Sequence, residues 1–141
     1  LLLMFFFPIA TFLSEENFVC FKLFVTDLID ETNANQQLYN VWFMVPMMAL
    51  IVITGFVSFL GIFYFKKRPF QIKITGFAIL MNIALIILIF FYADKISGDF
   101  GAVATYKLAS VFPLISLLLL IFANRAIRRD EKLVRSMDRL R

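Results

Sequence analysis

Few side chains in this sequence are able to do chemistry, and almost none of them lies in an apolar stretch. The chain contains no histidine, and so lacks the commonest general base, metal ligand and haem ligand. Its single cysteine, Cys20, excludes an intramolecular disulfide and every Cys-x-x-Cys pattern. Tyr106 and Lys107 are adjacent, but they are a thin basis for acid–base catalysis. We therefore expect no catalytic residue, no cofactor, no metal site and no enzyme activity.

Polar residues inside the apolar stretches indicate helix packing. Asn82 could line a polar path, but a buried amide in a membrane helix more often bonds a neighbouring helix, for roughly 0.6–2 kcal/mol. Thr54, Gly55, Ser58 and Gly61 form a small, polar stripe that would let another helix approach closely. We predict that Asn82 meets this stripe in a helix–helix contact.

Three uncharged stretches, 41–65, 74–93 and 108–124, supply the elements that must position these residues. An apolar helix of about 20 residues is about 30 Å long, the thickness of a hydrocarbon core. Hydrophobic residues make up 62% of the chain and charged residues 17%, against about 25% charged in soluble domains. The pattern predicts an integral membrane protein whose surroundings are the lipid bilayer.

The predicted fold is a single all-α domain, a bundle of four transmembrane helices. Residues 1–13 are apolar but too short to cross a bilayer alone, so we interpret them as a first helix truncated at its N-terminus, with a signal peptide as the less favoured alternative. The other helices are predicted at about 41–65, 73–93 and 104–138. Pro113 should kink the fourth helix, which is predicted to extend into the cytoplasm.

Two polar segments separate the helices. Residues 14–40 are predicted to lie outside the cell. Their apolar residues alternate as in a strand at 19–25, but the spacing over 18–28 also fits a helix face, and the pattern does not decide between the two. Residues 94–101 contain two Asp, one Ser and two Gly, which predicts a turn.

Charge asymmetry predicts the orientation in the membrane. Residues 14–40 contain five carboxylates and one lysine, whereas segment 66–73 carries four basic residues and no acid. The tail 125–141 is also basic overall. Because basic segments stay on the cytoplasmic side, we predict a multi-pass protein with loop 66–72, the tail and both termini in the cytoplasm.

Residues at the ends of the apolar stretches are predicted to contact the membrane surface. Basic side chains there would contact anionic lipid headgroups, and a tryptophan would anchor its helix at the interface. This group comprises Lys66, Lys67, Arg68, Lys73 and Trp42. Most such loops only set orientation, so specific lipid binding is the less favoured interpretation.

The tail carries the pattern most typical of a binding function. An apolar stripe runs through charges of both signs, whereas a helix bound only to lipid usually lacks acidic residues on its polar face. The mixture suits docking against protein, either this chain's own basic loop or another subunit, and a solvated helix that only stabilises the topology is an equally weighted alternative. We expect no nucleic-acid partner. The predicted docking residues are Asn124, Arg125, Ile127, Arg128, Arg129, Val134, Met137 and Leu140.

Two segments carry a family resemblance: KKRPFQIKI at 66–74 and ANRAIRRDEKLVRSMDRLR at 123–141. Together with Trp42 they resemble an uncharacterised family of small four-helix inner-membrane proteins from Bacteroidota. The resemblance spans nearly the whole chain and implies four crossings with cytoplasmic termini. It implies no activity and no ligand.

Two functions are compatible with these patterns. The first is an accessory or scaffold subunit that acts through its helices and its mixed-charge tail, with a protein partner or self-association. The alternative is a small oligomeric transporter or channel for a neutral or lipid-like solute, which would need a cavity next to Asn82 and Ser58.

Overall fold

The computed structural model describes residues 1–14, 19–30, 41–64 and 68–138, which form three long helices and a small antiparallel sheet. The helices are α1 (Val41–Phe63), α2 (Arg68–Phe100) and α3 (Phe112–Asp138). The strands are β1 (Ala10–Ser14), β2 (Val19–Leu23), β3 (Leu28–Asp30) and β4 (Val103–Tyr106). In this part of the chain, three helices are long and apolar enough to cross a membrane.

The central helix is α2, which packs against both α1 and α3. Near one end of the bundle the Tyr92 hydroxyl donates to the Phe43 carbonyl oxygen at 2.6 Å, and near the other the Gln71 amide donates to the Gly61 carbonyl oxygen at 3.0 Å. These bonds make α1 and α2 antiparallel. The Asn124 amide donates to the Ile72 carbonyl oxygen at 3.4 Å, and the Asn82 amide donates to the Pro113 carbonyl oxygen at 3.2 Å, so α3 runs antiparallel to α2 as well.

Helix α2 continues past the apolar stretch and ends at a glycine. Gly101 has φ +56°, a left-handed conformation that glycine adopts without steric cost. The Ala102 amide donates back to the Ser97 carbonyl oxygen at 3.1 Å, and the Ser97 hydroxyl donates to the Ala102 carbonyl oxygen. The prediction of a helix end at residue 93 and a turn over 94–101 is therefore wrong. Hydropathy marks where the apolar surface ends, whereas the glycine cap sets where the helix ends.

The sheet has the order β3-β2-β1-β4. Ala10 pairs with Leu23 and Phe12 with Phe21, and all four side chains are buried on one face because alternate residues of a strand point the same way. The Phe21 ring lies 4.8 Å from the ring of Phe100, which connects this face to the end of α2.

The predicted first helix over 1–13 is wrong. Instead of a helix, residues Leu2–Phe5 form a 3-10 turn and residues Ala10–Ser14 form β1. An unbroken apolar run has no periodicity that distinguishes a helix from a strand, so composition alone could not decide. Because of the sheet, the all-α prediction is wrong as well, although the chain is mostly helical. The described ranges contain three long helices and not the four predicted. Within segment 14–40 the sequence allowed either a strand at 19–25 or a helix over 18–28, and the strand is correct, since Val19–Leu23 form β2.

The predicted fourth helix begins at Phe112, not near residue 104. Residues Val103–Tyr106 form β4, and a 3-10 turn follows at Leu108–Val111. Pro113 is thus the second residue of α3, where an amide has no intrahelical partner to lose. The proline belongs to the start of the helix and is not an interior kink.

The core lies between the sheet and the adjoining turns of α1 and α2, a region called the sheet end below. Its fully buried side chains include Met4, Ile9, Phe12, Leu23, Leu28, Met44, Met47 and Ile96. Along the helices many large apolar side chains are exposed instead, such as Phe56, Leu80 and Leu119. A surface of this kind suits lipid and not water.

Candidate functional site

A groove of about 520 Å³ separates α1 from α3. Both helices pack on α2, but they barely touch each other in the described part of the chain. Gly55 and Ser58 line the groove from α1, and Ser116, Leu119, Leu120 and Ala123 line it from α3, with residues 1–3 beside them. We call this the α1–α3 groove.

The small, polar stripe predicted on α1 is divided between two faces. Thr54 is fully buried, and a Cβ added at Gly61 would lie 3.7 Å from Ile74 Cγ2, so these two residues face α2 or the interior. A Cβ at Gly55 would meet nothing within 4 Å, and Ser58 lines the groove. Half of the stripe therefore packs within the bundle, and half is open.

Asn82 joins α2 to α3. It is fully buried, and its Nδ2 donates to the Pro113 carbonyl oxygen at 3.2 Å, while its Oδ1 accepts no hydrogen bond from the part of the chain that the structure describes. Among the described residues no hydrogen bond joins Asn82 to the α1 stripe. The side chain does pack one helix against another, but its bonded neighbour is α3 and not the predicted α1.

Basic side chains gather where α2 begins and α3 leaves the apolar stretch, a region called the basic end below. Arg68 and Lys73 belong to α2, and Arg125, Arg128 and Arg129 belong to α3. The hydrogen bond from Asn124 to Ile72 brings these two segments side by side. The positive N-terminus of α2 adds to the charge. The predicted surface residues Lys66 and Lys67 lie outside the described residues.

A second groove, of about 290 Å³, lies between α2 and α3 at the basic end. We call it the α2–α3 groove. Its lining residues are Gly76, Ile79, Leu80, Ile121, Asn124, Arg125 and Arg128. The tail pattern pointed to the last three of these residues but missed Gly76, whose lack of a side chain leaves room on α2. The sequence could have indicated Gly76, because it is a glycine within an apolar stretch and lies one helical turn from the basic residues.

Arg128 is held in place by a chain of two hydrogen bonds. Its Nε donates to Asn124 Oδ1 at 2.7 Å, and the Nδ2 of the same asparagine donates to the Ile72 carbonyl oxygen. Asn124 is only 6% exposed. The guanidinium is therefore fixed to α2 through a buried amide, and its Nη groups remain to donate to another molecule.

The predicted docking stripe of the tail begins against the chain's own bundle. Ile127 lines a small cavity of about 120 Å³ together with residues such as Gly61 and Gln71. Val134 is half-buried. The side chain of Met137 and the whole of Leu140 lie outside the described residues.

Aromatic residues mark both ends of α1. Trp42 is 78% exposed at its start, and Tyr64 follows its last residue, with its ring 4.9 Å from the ring of Phe70. Trp42 therefore lies at the sheet end, at the opposite end of α1 from Arg68 and Lys73, and its role as an interfacial anchor stays a prediction. Nowhere in the described ranges do three or more His, Cys, Asp or Glu residues gather as a metal site would require.

A model of the family described as "Domain of unknown function (DUF4293)" matches residues 1–140. The chain belongs to this family. Neither a curated protein nor a solved structure matches it. The predicted membership of an uncharacterised family is confirmed, and the DUF4293 description assigns no activity.

Proposed function

We propose that this chain is a non-enzymatic integral membrane protein that acts by association, as an accessory or scaffold subunit. The observation that carries the proposal is the α1–α3 groove, in which two membrane-spanning helices leave a gap whose lining includes small residues on both helices, Gly55 and Ser58 on α1 and Ser116 and Ala123 on α3. A partner subunit's transmembrane helix is the proposed occupant.

Small side chains favour a helix over lipid as the occupant. In a bilayer, apolar residues gain nothing by leaving acyl chains, so helices associate where their backbones approach closely. Gly55, Ser58 and Ala123 permit such an approach. Disordered acyl chains would gain little from these residues, because they have no rigid backbone ridge to place there.

The charged part of α3 is the second proposed contact. Arg129 and Asp130 are both exposed, whereas Ile127 faces the bundle. Exposed charges of both signs on a helix that is already held along one edge suit a complementary protein surface. We place this segment in the cytoplasm, as an extension of α3 beyond a bacterial inner membrane. With three crossings the sheet end, which contains β1, then lies on the opposite side of the membrane, so the predicted placement of both termini in the cytoplasm is not kept.

Photo-cross-linking from inside the α1–α3 groove tests the proposal. A photoreactive residue replaces Ser58 or Ala123, with matched controls at Phe56 and Leu118, which are exposed on the same two helices outside the groove. After irradiation in cells and extraction in mild detergent, the cross-linked chain is identified by mass spectrometry. We expect one stoichiometric membrane protein, or a second copy, from the groove positions and not from the controls.

Three outcomes would contradict the proposal. Cross-links to lipid alone would make the groove part of the lipid-facing surface. Cross-links to residues of the same polypeptide would make it an internal packing site. Equal yields at Ser58 and Leu118 would show that the groove is not distinguished from the rest of the surface.

A small oligomeric transporter for a neutral or lipid-like solute is the second candidate. The cavity beside Ser58 favours it, because such a cargo needs no buried charge. Asn82, however, does not line that groove. Transport of a fluorescent lipid by the reconstituted chain, abolished by a bulky residue in place of Ser58, would favour this function over the first.

The proposed orientation has its own test. Lys132→Cys and Lys107→Cys are made in a Cys20→Ser background and treated in intact cells with a thiol reagent that cannot cross the inner membrane. Because the basic end should be cytoplasmic, we expect labelling at position 107 and protection at position 132. The reverse pattern would invert the topology.

A further inference from the structure

The α2–α3 groove combines an anchored cation with an apolar wall, and neither feature is used by the proposed function. Arg125 and Arg128 stand at one end, and Ile79, Leu80 and Ile121 line the rest. None of the described residues that line the groove is a carboxylate. Its chemistry therefore matches a ligand with an anionic head and an apolar body.

We infer that the α2–α3 groove binds one anionic phospholipid, with the phosphate on Arg125 and Arg128 and an acyl chain along α2. Guanidinium groups bind phosphate through paired N–H donors in a fixed plane. The hydrogen bond from Arg128 Nε to Asn124 holds that plane before the ligand arrives, so less side-chain freedom is lost on binding.

Charge complementarity decides the occupant. The groove opens where the apolar part of the bundle meets its basic residues, the depth at which phospholipid phosphates lie. From Gly76 to Leu80 is about 6 Å along a helix, enough to carry a ligand from headgroup depth into the hydrocarbon. Asp130 and Glu131 follow on α3 outside the groove.

Gly76 makes the room for the ligand. A Cβ added there would lie 4.0 Å from Asn124 Nδ2, an ordinary contact, so a larger residue would fill the groove without forcing the helices apart at that atom. The site can thus be blocked with its charge unchanged, which separates a shaped site from a general electrostatic attraction.

The experiment measures lipid preference beside the groove. The full chain carries a Trp42→Phe change and an Ile83→Trp reporter, since Ile83 is 39% exposed on α2 close to Leu80 but does not line the groove. It is reconstituted into vesicles of phosphatidylcholine with phosphatidylglycerol, one of which is dibrominated. The ratio of fluorescence quenching by the two brominated lipids gives their relative binding constant. We expect phosphatidylglycerol to be preferred about five-fold or more for each contacting arginine.

Matched variants test whether the α2–α3 groove causes the preference for phosphatidylglycerol. R128Q should lower it about five-fold, whereas R129Q, which removes an equal charge outside the groove, should lower it less than two-fold. G76L should abolish it, whereas G98L, the same change at the other end of α2 where a Cβ meets nothing within 4 Å, should leave it unchanged. An excess of inorganic phosphate should not displace the lipid.

Other results would overturn the inference. Equal losses with R128Q and R129Q would reduce the preference to surface charge, and an unchanged preference in G76L would exclude the groove. Displacement by inorganic phosphate would replace the lipid with a free anion. If G76L fails to fold, I121F narrows the same groove from α3 and takes its place. None of these results depends on the α1–α3 groove, so the proposed function and this site fail separately.

Discussion

The sheet end and the basic end of the bundle are built differently. At the sheet end, large side chains such as Phe12, Leu23 and Ile96 are completely buried in one core. At the basic end, the buried residues are small or polar, among them Thr75 and Asn124, and two grooves remain open nearby. The comparison teaches that stability is concentrated at one end, which leaves the surface of the other available for binding.

The largest effect should come from removing a core side chain at the sheet end. Phe12 is fully buried, and Phe12→Ala should lower the free energy of unfolding by about 3–5 kcal/mol through lost burial and a cavity. Phe122→Ala, on α3 where the ring is 61% exposed, should change it by about 0.5 kcal/mol or less. Denaturation of both variants in detergent, followed by circular dichroism, measures the difference. Equal losses of stability in the two variants would show that the core at the sheet end does not stabilise the protein more than the exposed surface of α3 does.

The two ends should also differ in their tolerance of alanine at glycine. Gly101→Ala places a Cβ in the left-handed conformation and should cost about 1–2 kcal/mol. Gly76→Ala lies within a helix and should be neutral or stabilise by up to about 1 kcal/mol. Thermal unfolding of the pair distinguishes them, and a stabilised Gly101→Ala variant would show that the cap does not hold the end of α2.

Removal of a single hydrogen bond should also cost more stability at the sheet end than at the basic end, although both costs are smaller. Tyr92→Phe removes the bond to the Phe43 carbonyl at the sheet end and should cost about 1 kcal/mol. Gln71→Met removes the bond to the Gly61 carbonyl at the basic end, and we expect about half that cost because the amide is less buried. Unfolding in the same detergent compares them. A larger loss for Gln71→Met would reverse the ranking of the two ends.

A similarly small effect is expected between the ends, at Asn82. Asn82→Leu loses the bond to Pro113 but also removes the buried Oδ1 that accepts no hydrogen bond, so the net cost should be about 0.6 kcal/mol. Asn82→Ala should cost more, since it leaves a cavity as well. If Asn82→Leu proved the more damaging of the two, the amide would have a role beyond joining α2 to α3.

Apolar length predicted α1 and the middle of α2 from the sequence, because both stretches are uncharged and long enough to span a membrane. The far end of α2 was missed. Charged residues 94–99 suggested a loop, yet a helix in water keeps its backbone bonds until a residue such as Gly101 ends it. Gly101 could have indicated the end of α2 from the sequence, but the prediction placed that end at residue 93, where the apolar stretch stops.

The sheet could not be predicted from local pattern alone. The strand β1 pairs with β2 nearby but also with β4, where Leu13 meets Val103 far along the chain. Nothing in the apolar run 1–13 specifies so distant a partner. The binding residues were predicted in part: the tail pattern identified Arg125 and Arg128, whereas Gly76 acquires its role only once α2 and α3 lie side by side.

The position of β1 between β2 and β4 has a consequence for biosynthesis. One edge of β1 can pair with β2 soon after both strands leave the ribosome. The other edge pairs with β4, which is made only after α1 and α2. At about 5–20 residues per second, that edge waits roughly 5 to 20 s for its neighbour. A nascent chain arrested just after α2 should therefore expose a row of unpaired amides to other strands, and release past residue 106 should close it.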